Sequence, residues 1–291
     1  MRICSLLPSA TDILVALGLL DDLVAVTHEC ELPFGAKPIP VITRSTLESK
    51  TLSGRDIDTH VTTAAHSGSS LYLLDHAMLE KCNPDLIITQ ELCDVCAIGY
   101  RQVLSVEPQT LSQVLEATLR IGEAAGVGDR AARLTYDMRR RIDAITETGR
   151  RATTRPRVLA MEWLDPPYTA GHWVPEMIRL AGGHDEMGLE GTFSREITWD
   201  DVANYEPEIL VLMPCSFDLE RTLRDVEPLT RQVWWQNLHA VRCGRVCAVD
   251  SGRYFSRHGP RIVEGLSILG EIIHPELFPR CALESAWQQV D

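Results

Sequence analysis

Short apolar runs alternate with helical patterns along this chain, in two series separated by a long helical segment. Leu86–Thr89 and residues 209–213 are typical of the apolar runs, and such runs are expected of strands buried on both faces of a parallel sheet. Residues 111–149 keep apolar side chains at helical spacing, with one interruption at 126–128. The alternation predicts an α/β fold with two Rossmann-like lobes joined by a long rigid backbone helix.

The same pattern predicts where the parts of the chain begin and end. We expect an N-terminal α/β lobe over residues 1–110, a connecting helix over 111–150 and a C-terminal α/β lobe over 151–291. The total of 291 residues suits two such units. Within the lobes, the polar segment 44–70 shows no periodicity, residues 71–81 have a helical pattern, and residues 162–168, with two prolines, are predicted to form a loop.

Four cysteines lie just beyond predicted strands. Cys30 follows the run 23–27, Cys93 and Cys96 form a C-x-x-C motif after Leu86–Thr89, and Cys215 follows the run 209–213. Ligands of open α/β sheets bind beyond the carboxyl ends of the strands, so the pattern predicts that the four thiols form one metal site. Four thiolates suit zinc or an iron–sulfur cluster. A redox pair and plain buried thiols are the alternatives that the pattern leaves open.

Charge and hydropathy exclude several classes of partner. The net charge of −13 and the pI of about 5.2 argue against nucleic acid, which needs a basic face. No stretch approaches the ~18 apolar residues of a membrane span. Residues 1–8 lack the basic segment and long apolar core of a signal peptide. These features predict a cytoplasmic protein, and the nine cysteines fit a reducing compartment that disfavours disulfides.

Several sequence blocks resemble those of class III periplasmic binding proteins, the helical-backbone metal receptor superfamily, and within it the cobalamin-binding and cobalamin-transporter-like proteins. The blocks include Thr27-His28-Glu29-Cys30, Asn83-Pro84-Asp85-Leu86-Ile87-Ile88, Leu92-Cys93-Asp94-Val95-Cys96 and Ala170-Gly171-His172-Trp173. The resemblance implies that the two lobes face each other across a ligand cleft, spanned by the long helix. It implies cobalamin, haem or a siderophore as the class of ligand. Because residues 1–8 lack the features of an export signal, the sequence makes a transporter partner doubtful.

Other side chains at predicted strand ends are candidates for contacts with the ligand. Imidazoles bind metals, carboxylates beside aromatic rings suit a flat or cationic ligand, and guanidinium groups hold acidic substituents. Packing in the core and surface salt bridges are the competing roles. The candidates are His28, Arg44, Glu162, Trp163, Asp165, His172, Trp173, Tyr254 and Arg257.

Three functions follow as hypotheses. The first is a soluble two-lobed protein that binds a metal or a metal-containing small molecule, such as a corrinoid of the cobalamin type, between its lobes. The second is a cytoplasmic enzyme in which cysteines hold an iron–sulfur cluster or zinc, with Glu162, Asp165 or His172 as acid–base candidates. The third is a thiol-based metal carrier. All three predict a small-molecule or metal ligand.

Overall fold

Two parallel sheets, one in each half of the chain, organise the fold. The structure is a computed structural model and describes residues 1–47, 51–67, 70–90 and 102–290. In chain order the first half comprises β1 (Ile3–Ser5), α1 (Pro8–Ala16), β2 (Leu23–Ala25), β3 (Thr43–Ser45), α2 (Gly54–Ser67), β4 (Tyr72–Leu74), α3 (His76–Cys82), β5 (Leu86–Thr89) and β6 (Gln102–Ser105).

Two helices and a second α/β unit follow. They comprise α4 (Leu111–Ala124), α5 (Gly128–Arg150), β7 (Val158–Leu164), β8 (Pro167–Thr169), α6 (Val174–Leu180), α7 (Trp199–Tyr205), β9 (Ile209–Leu212), α8 (Leu219–Thr230), α9 (Val233–Gln236), α10 (His239–Arg242), β10 (Val246–Val249), α11 (Ser251–Tyr254), α12 (Ile262–Ile273) and β11 (Trp287–Gln289).

The N-terminal lobe is built on a four-stranded sheet. Its strand order is β2-β1-β5-β6 and every neighbouring pair is parallel. Ile3, Leu86, Ile87 and Ile88 are fully buried, because helices cover both faces of such a sheet. The small antiparallel pair of β3 and β4 lies outside this sheet.

The C-terminal lobe holds a five-stranded sheet in the order β11-β10-β9-β7-β8. The central strands β10, β9 and β7 are parallel, and β11 and β8 are antiparallel edge strands. All four residues of β9 and of β10 are buried. Both sheets confirm the predicted α/β class, and the carboxyl ends of their parallel strands are the expected place for a site.

The segment between the lobes is a helical hairpin. Leu111 at the start of α4 and Met138 of α5 belong to the core of the C-terminal lobe, whereas Ile121 and Ala131 belong to the core of the N-terminal lobe. Each helix therefore runs from one lobe to the other. The chain reverses direction at Gly126, which has a φ of 72°, a left-handed value that glycine adopts without strain. The 23 residues of α5 span about 34 Å at 1.5 Å per residue.

One helix was not predicted, and two local predictions are wrong. Residues 54–67, in the segment without periodicity, form a helix in which only Ile57 is buried, so the helix has no apolar stripe. The predicted helix over 71–81 begins as β4, and α3 starts only after Asp75, whose side chain accepts a hydrogen bond from the Met78 N–H. The predicted loop 162–168 is largely a β-hairpin of β7 and β8, with Pro167 in an edge strand, where proline is tolerated.

No helix within the described parts of the chain combines the length and the hydropathy that a membrane crossing requires.

Candidate functional site

The two lobes face each other beyond the carboxyl ends of their strands. From the N-terminal lobe come the loop after β2, with Glu29, and the side chain of Tyr72 on β4. From the C-terminal lobe comes Cys215, just after β9. The pKa of Tyr72 is raised, first by partial burial and then by the negative charges of Glu29 and of ionised Cys215. The phenol therefore lies near both lobes, and we call the space around Glu29, Tyr72 and Cys215 the cleft.

Glu162 and Cys215 form the floor of the cleft on the C-terminal side. The Cys215 N–H donates to the Glu162 carbonyl at 3.0 Å, which places the two residues on neighbouring strands. Burial raises the pKa of Glu162, and hydrogen bonds from the Gly171 N–H and the Ser194 side chain oppose that rise. The thiol of Cys215 reaches solvent, yet surrounding protein and the Glu162 carboxylate raise its pKa to about 11. At neutral pH the thiol is therefore protonated.

His172 and Phe193 form a rim beside Glu162. His172 has a φ of 55°, and its N–H donates to the Thr192 carbonyl at 2.6 Å. Its ring meets Phe193 edge-on at 5.3 Å between centroids, and Phe193 is 76% exposed. Burial lowers the pKa of His172, so the imidazole is neutral at pH 7. Among the described residues no hydrogen bond engages its ring nitrogens, which leaves a lone pair for a metal.

The facing wall in the N-terminal lobe consists of His28 and Tyr72. The two rings lie 5.5 Å apart, and His28 Nδ1 shares a 2.7 Å hydrogen bond with Thr43 Oγ1. Tyr72 pairs with Ser45 in the β3–β4 ladder, and the candidate Arg44 pairs with Leu73. Because side chains alternate between the faces of a strand pair, Arg44 lies on the opposite face from Tyr72.

Cys30 is part of a hydrogen-bonded chain. The Ser5 hydroxyl donates to the Leu7 carbonyl, and Thr11 Oγ1 donates to Ser5 Oγ at 2.8 Å. The thiol of Cys30 lies 2.9 Å from Thr11 Oγ1, in a hydrogen bond in which either atom can be the donor. Thr27 Oγ1 lies 3.2 Å from the same sulfur. The side chain of Cys30 is thus hydrogen-bonded within its own lobe.

The predicted four-thiol metal site has no support in the part of the chain that the structure describes. Cys93 and Cys96 lie outside the described residues. Within those residues no group of three or more His, Cys, Asp and Glu side chains is placed to hold a metal ion. Cys30 and Cys215 are both described. Cys30 is hydrogen-bonded within its own lobe, and the pKa of Cys215 is raised to about 11.

One set of contacts joins the lobes through the segment around α2. Arg55 Nη2 pairs with Asp165 Oδ1 at 2.6 Å. The indole Nε1 of Trp163 donates to the Gly54 carbonyl at 3.2 Å, and Arg221 Nη2 donates to the Leu52 carbonyl at 2.6 Å. The candidates Trp163 and Asp165 thus hold α2 against the C-terminal lobe.

A second set joins α1 and the loop after β2 to the start of α12. Arg257 Nη2 donates to the Glu29 carbonyl at 3.1 Å and to Glu31 Oε1 at 3.2 Å. Arg261 Nη1 donates to Glu31 Oε2 at 3.3 Å. Asp12 lies behind them with a side chain only 7% exposed, 3.9 Å from Arg257 Nη1. We call these four side chains the ionic bridge.

Two further candidates lie in the core of the C-terminal lobe. Trp173 is 7% exposed, and its Nε1 donates to the Phe255 carbonyl at 2.9 Å. Tyr254 is 8% exposed. Both belong to the hydrophobic cluster that includes the cores of β9 and β10. The structure therefore places them in packing positions and not on the cleft surface.

Between the two sets, a buried histidine bridges the lobes. The Ser9 hydroxyl and His258 Nε2 are 2.9 Å apart, and the His258 ring lies edge-on to Trp173 at 6.2 Å. Burial lowers the pKa of His258 from its ordinary 6.5 to about 4. The imidazole is neutral in the folded protein over most of the accessible pH range.

We expect His258 to make stability depend on pH. Between pH 6.5 and 4 the unfolded chain binds a proton on this ring and the folded chain does not, so the stabilisation by neutral His258 falls as the pH falls. Lowering the pH from 7.5 to 4.5 should remove about 2.5 kcal/mol. Urea unfolding of the wild type and of His258→Gln at both pH values measures this effect. Comparing the two proteins at each pH removes the contributions of other titrating groups, such as Asp185, whose pKa is raised to about 6 and whose effect has the opposite sign. An equal gap between the two proteins at both pH values would contradict the assignment.

Sequence reasoning missed several residues that the structure brings to the cleft and its borders. Tyr72 and Phe193 stand in segments without strand-end patterns, and Asp12 and His258 lie on a helix and a turn that approach each other only across the lobes. Ser9 was considered as an anion-binding position at a helix start, and the structure instead pairs it with His258. The sequence carries only a weak indication that some of these residues border the cleft. Ser9 and Asp12 directly follow the first predicted strand, where a site is expected.

The comparisons with known proteins agree on one family. A family model described as periplasmic binding protein matches residues 99–252, more than half of the chain. An ABC transporter substrate-binding lipoprotein of Bacillus subtilis, YvrC, is 24% identical over 95% of this chain and 81% of its own. A cobalamin-binding protein of Halobacterium salinarum is 25% identical over 94% of this chain and 69% of its own.

Solved structures show the same fold. The periplasmic haem-binding protein RhuT from Roseiflexus superposes with a TM-score of 0.70 at 22% identity, covering 95% of this chain and 98% of its own. The periplasmic vitamin B12-binding protein BtuF of Vibrio cholerae has a TM-score of 0.68 at 18% identity, covering 96% and 98%. The groups that these proteins are named for are cobalamin and haem. Neither zinc nor an iron–sulfur cluster is among them.

The predicted cytoplasmic location is wrong. The matching family model describes periplasmic proteins, one relative is a lipoprotein of an ABC transporter, and both structural neighbours are periplasmic. These findings point to a location in the periplasm or outside the cell. They also remove the reason for doubting a transporter partner.

Proposed function

The chain belongs to the family of periplasmic binding proteins, and from this premise we propose that it binds a corrinoid of the cobalamin type in the cleft and delivers it to an ABC transporter. The cobalamin-binding relatives match over nearly the whole chain, and a substrate-binding relative of a transporter does so as well. The ligand would be cargo, released unchanged, and not a resident cofactor.

The observation that carries the choice of ligand is the charge of the cleft. In the part of the chain that the structure describes, three arginines at its edges are already paired: Arg55 with Asp165, Arg221 with Asp225 and Arg257 with Glu31. The groups left facing the cleft include the carboxylates of Glu29 and Glu162 and the phenol of Tyr72. Such a surface suits a ligand whose macrocycle carries no carboxylates. The side chains of the corrin ring of cobalamin are amides and its single phosphodiester lies in the nucleotide loop, whereas haem carries two propionates that call for unpaired cations.

Aromatic surface on both sides of the cleft supports a flat ligand. Tyr72 is 54% exposed and Phe193 is 76% exposed, and large apolar rings in such positions gain contact area when a macrocycle covers them. The neutral imidazole of His172 lies beside Phe193. In a corrinoid whose cobalt holds a water molecule, the imidazole would displace that water and take its axial position, because it presents a free ring nitrogen.

Titration of the purified protein with cyanocobalamin and, separately, with haemin tests this function. We expect the corrinoid to bind at least about tenfold more tightly than haemin, a difference of about 1.4 kcal/mol. Quenching of tryptophan fluorescence and isothermal calorimetry both report the dissociation constants. Tighter binding of haemin, or no binding of the corrinoid, would overturn the proposal.

Two variants test the position of the site. Tyr72→Ala and Phe193→Ala should each weaken cyanocobalamin binding about tenfold or more, since aromatic contacts dominate such surfaces. Tyr136→Ala is the matched control, because Tyr136 is 64% exposed and lies on α5, away from the cleft. If all three variants bind like the wild type, the ligand does not occupy this cleft.

A further inference from the structure

A second cavity lies between the lobes and includes none of the side chains that define the cleft or its rim. Its volume is about 400 Å³. The N-terminal lobe contributes residues of α1 and of the loop after β2, and the C-terminal lobe contributes the end of α11 and the start of α12. The lining residues include Asp12, Val15, Glu31, Phe34, Arg253 and Arg261. Arg257 separates this cavity from the cleft, because it binds both the Glu29 carbonyl and the Glu31 carboxylate.

The charged side chains at this cavity are unevenly paired. Arg261 is held by Glu31 at 3.3 Å and lies 4.0 Å from Asp12, so the two carboxylates are shared between Arg257 and Arg261. The guanidinium of Arg253 has no hydrogen bond or ion pair with any residue that the structure describes, and the residue is exposed. It lies over the Tyr254 ring at 5.9 Å, and its charge acts on the carboxyls of Asp250 and Asp12 only from a distance. One guanidinium at the cavity thus has acidic neighbours but no ion pair.

The rest of the lining is apolar. Phe34 has its whole side chain in solvent, with an exposure of 110%. Val15, Ala16, Leu32 and Pro260 complete the apolar part of the wall. A ligand that covers this exposed aromatic ring and brings a negative charge to the nearby guanidinium is expected to bind favourably.

We propose that this interlobe cavity is a binding site for a small organic monoanion with a flat apolar body, an aromatic carboxylate being the simplest example. The carboxylate pairs with Arg253, and the apolar body packs against Phe34 and Pro260. Both lobes line the cavity, so the bound anion favours this arrangement of the lobes over a more open one. By linkage, it affects the affinity of any ligand held between the same lobes.

The test uses 4-fluorobenzoate with the full chain, observed by fluorine NMR. We expect saturable line broadening with a dissociation constant in the millimolar range or tighter, as befits a ligand of this size. The neutral analogue 4-fluorobenzamide should bind at least tenfold more weakly, since it cannot pair with a guanidinium. No saturable signal, or equal binding of the acid and the amide, would overturn the proposal.

Arg253→Gln should weaken 4-fluorobenzoate binding at least tenfold, and Phe34→Ser should weaken both probes. Arg253→Gln removes only the exposed contact of the guanidinium with the Tyr254 ring at 5.9 Å, and Phe34 is fully exposed, so both variants are expected to fold. Arg133→Gln is the matched control, because Arg133 is an exposed arginine on α5 and outside the cavity. Unchanged binding to the Arg253→Gln variant, or an equal loss in the Arg133→Gln variant, would refute the assigned site.

Discussion

Replacing Arg257 by methionine is expected to lower the free energy of unfolding by about 3 kcal/mol, because it removes one of the two guanidinium partners of the buried Asp12 carboxylate and leaves only Arg261, at 4.0 Å. Only 14% of the Arg257 side chain and 7% of the Asp12 side chain are exposed. Burial already raises the pKa of Asp12, while Arg261 and Arg257 oppose that rise. Methionine keeps much of the apolar stem of arginine and removes the charge. Urea unfolding at neutral pH measures the loss.

Two further variants separate the ionic bridge from ordinary packing. Arg55→Met is the matched control. It also breaks an arginine–aspartate pair between the lobes, but that pair is 69% and 47% exposed, so its loss should lower stability much less than the loss of Arg257 does. Adding Asp12→Asn to Arg257→Met removes the stranded charge and should restore part of the stability. Equal losses for Arg55→Met and Arg257→Met, or no recovery in the double variant, would show that the charge of Asp12 is not the cause.

The second large effect is expected at Gly171, which precedes the rim histidine. A Cβ at this position would lie 2.4 Å from the Ser194 N, 2.6 Å from the Thr192 O and 2.7 Å from the Phe193 C. These are backbone atoms, which cannot turn aside. Gly171→Val should therefore lower the free energy of unfolding by about 3 kcal/mol, at the upper end of overpacking effects. It should also displace the Thr192–Ser194 backbone that carries Phe193, and weaken corrinoid binding more than Phe193→Ala does.

Gly128→Ala is the control for this change. Its new Cβ would meet only the Glu123 Cγ, at 3.8 Å, and it stands at the start of α5. We expect unchanged or slightly higher stability, because alanine favours helix more than glycine does. Urea midpoints and cyanocobalamin titrations of both variants give the comparison. A Gly171→Val protein with wild-type stability would show that the loop yields at little cost.

The class of fold was predictable from local patterns. Runs such as Leu86–Thr89 are apolar at every position except the last, and the structure shows a buried strand over the same residues. The alternation of such runs with helices determines the class, because a parallel sheet needs helical crossovers that cover its faces. The helix Gly54–Ser67 escaped prediction for the opposite reason. Its contacts are mainly hydrogen bonds to the other lobe, and such contacts produce no apolar stripe.

The candidate site was predictable only in part. Cys215 lies just beyond β9, where it was expected, since any residue that follows a parallel strand reaches the same edge of the sheet. Glu162 lies within β7 and not after it, and His172 follows the antiparallel edge strand β8. Whether such a residue lies in the cleft remained open. Trp173 and Tyr254 have the same kind of sequence context and are buried in the core. Arg44 lies on the face of the β3–β4 pair opposite to Tyr72. In a strand, a shift of one residue moves a side chain from one face to the other.

The sequence by itself thus determined the two α/β lobes, the helices between them and the edges at which functional groups are exposed, since periodicity and strand ends are local properties. Only the tertiary structure decided which groups act together. Asp12 and Arg257, or Ser9 and His258, lie hundreds of residues apart, and no local pattern records that they meet. Their pairing depends on how two separately folded lobes pack across the helical hairpin, and that packing sets both the charge of the cleft and the unpaired guanidinium of Arg253.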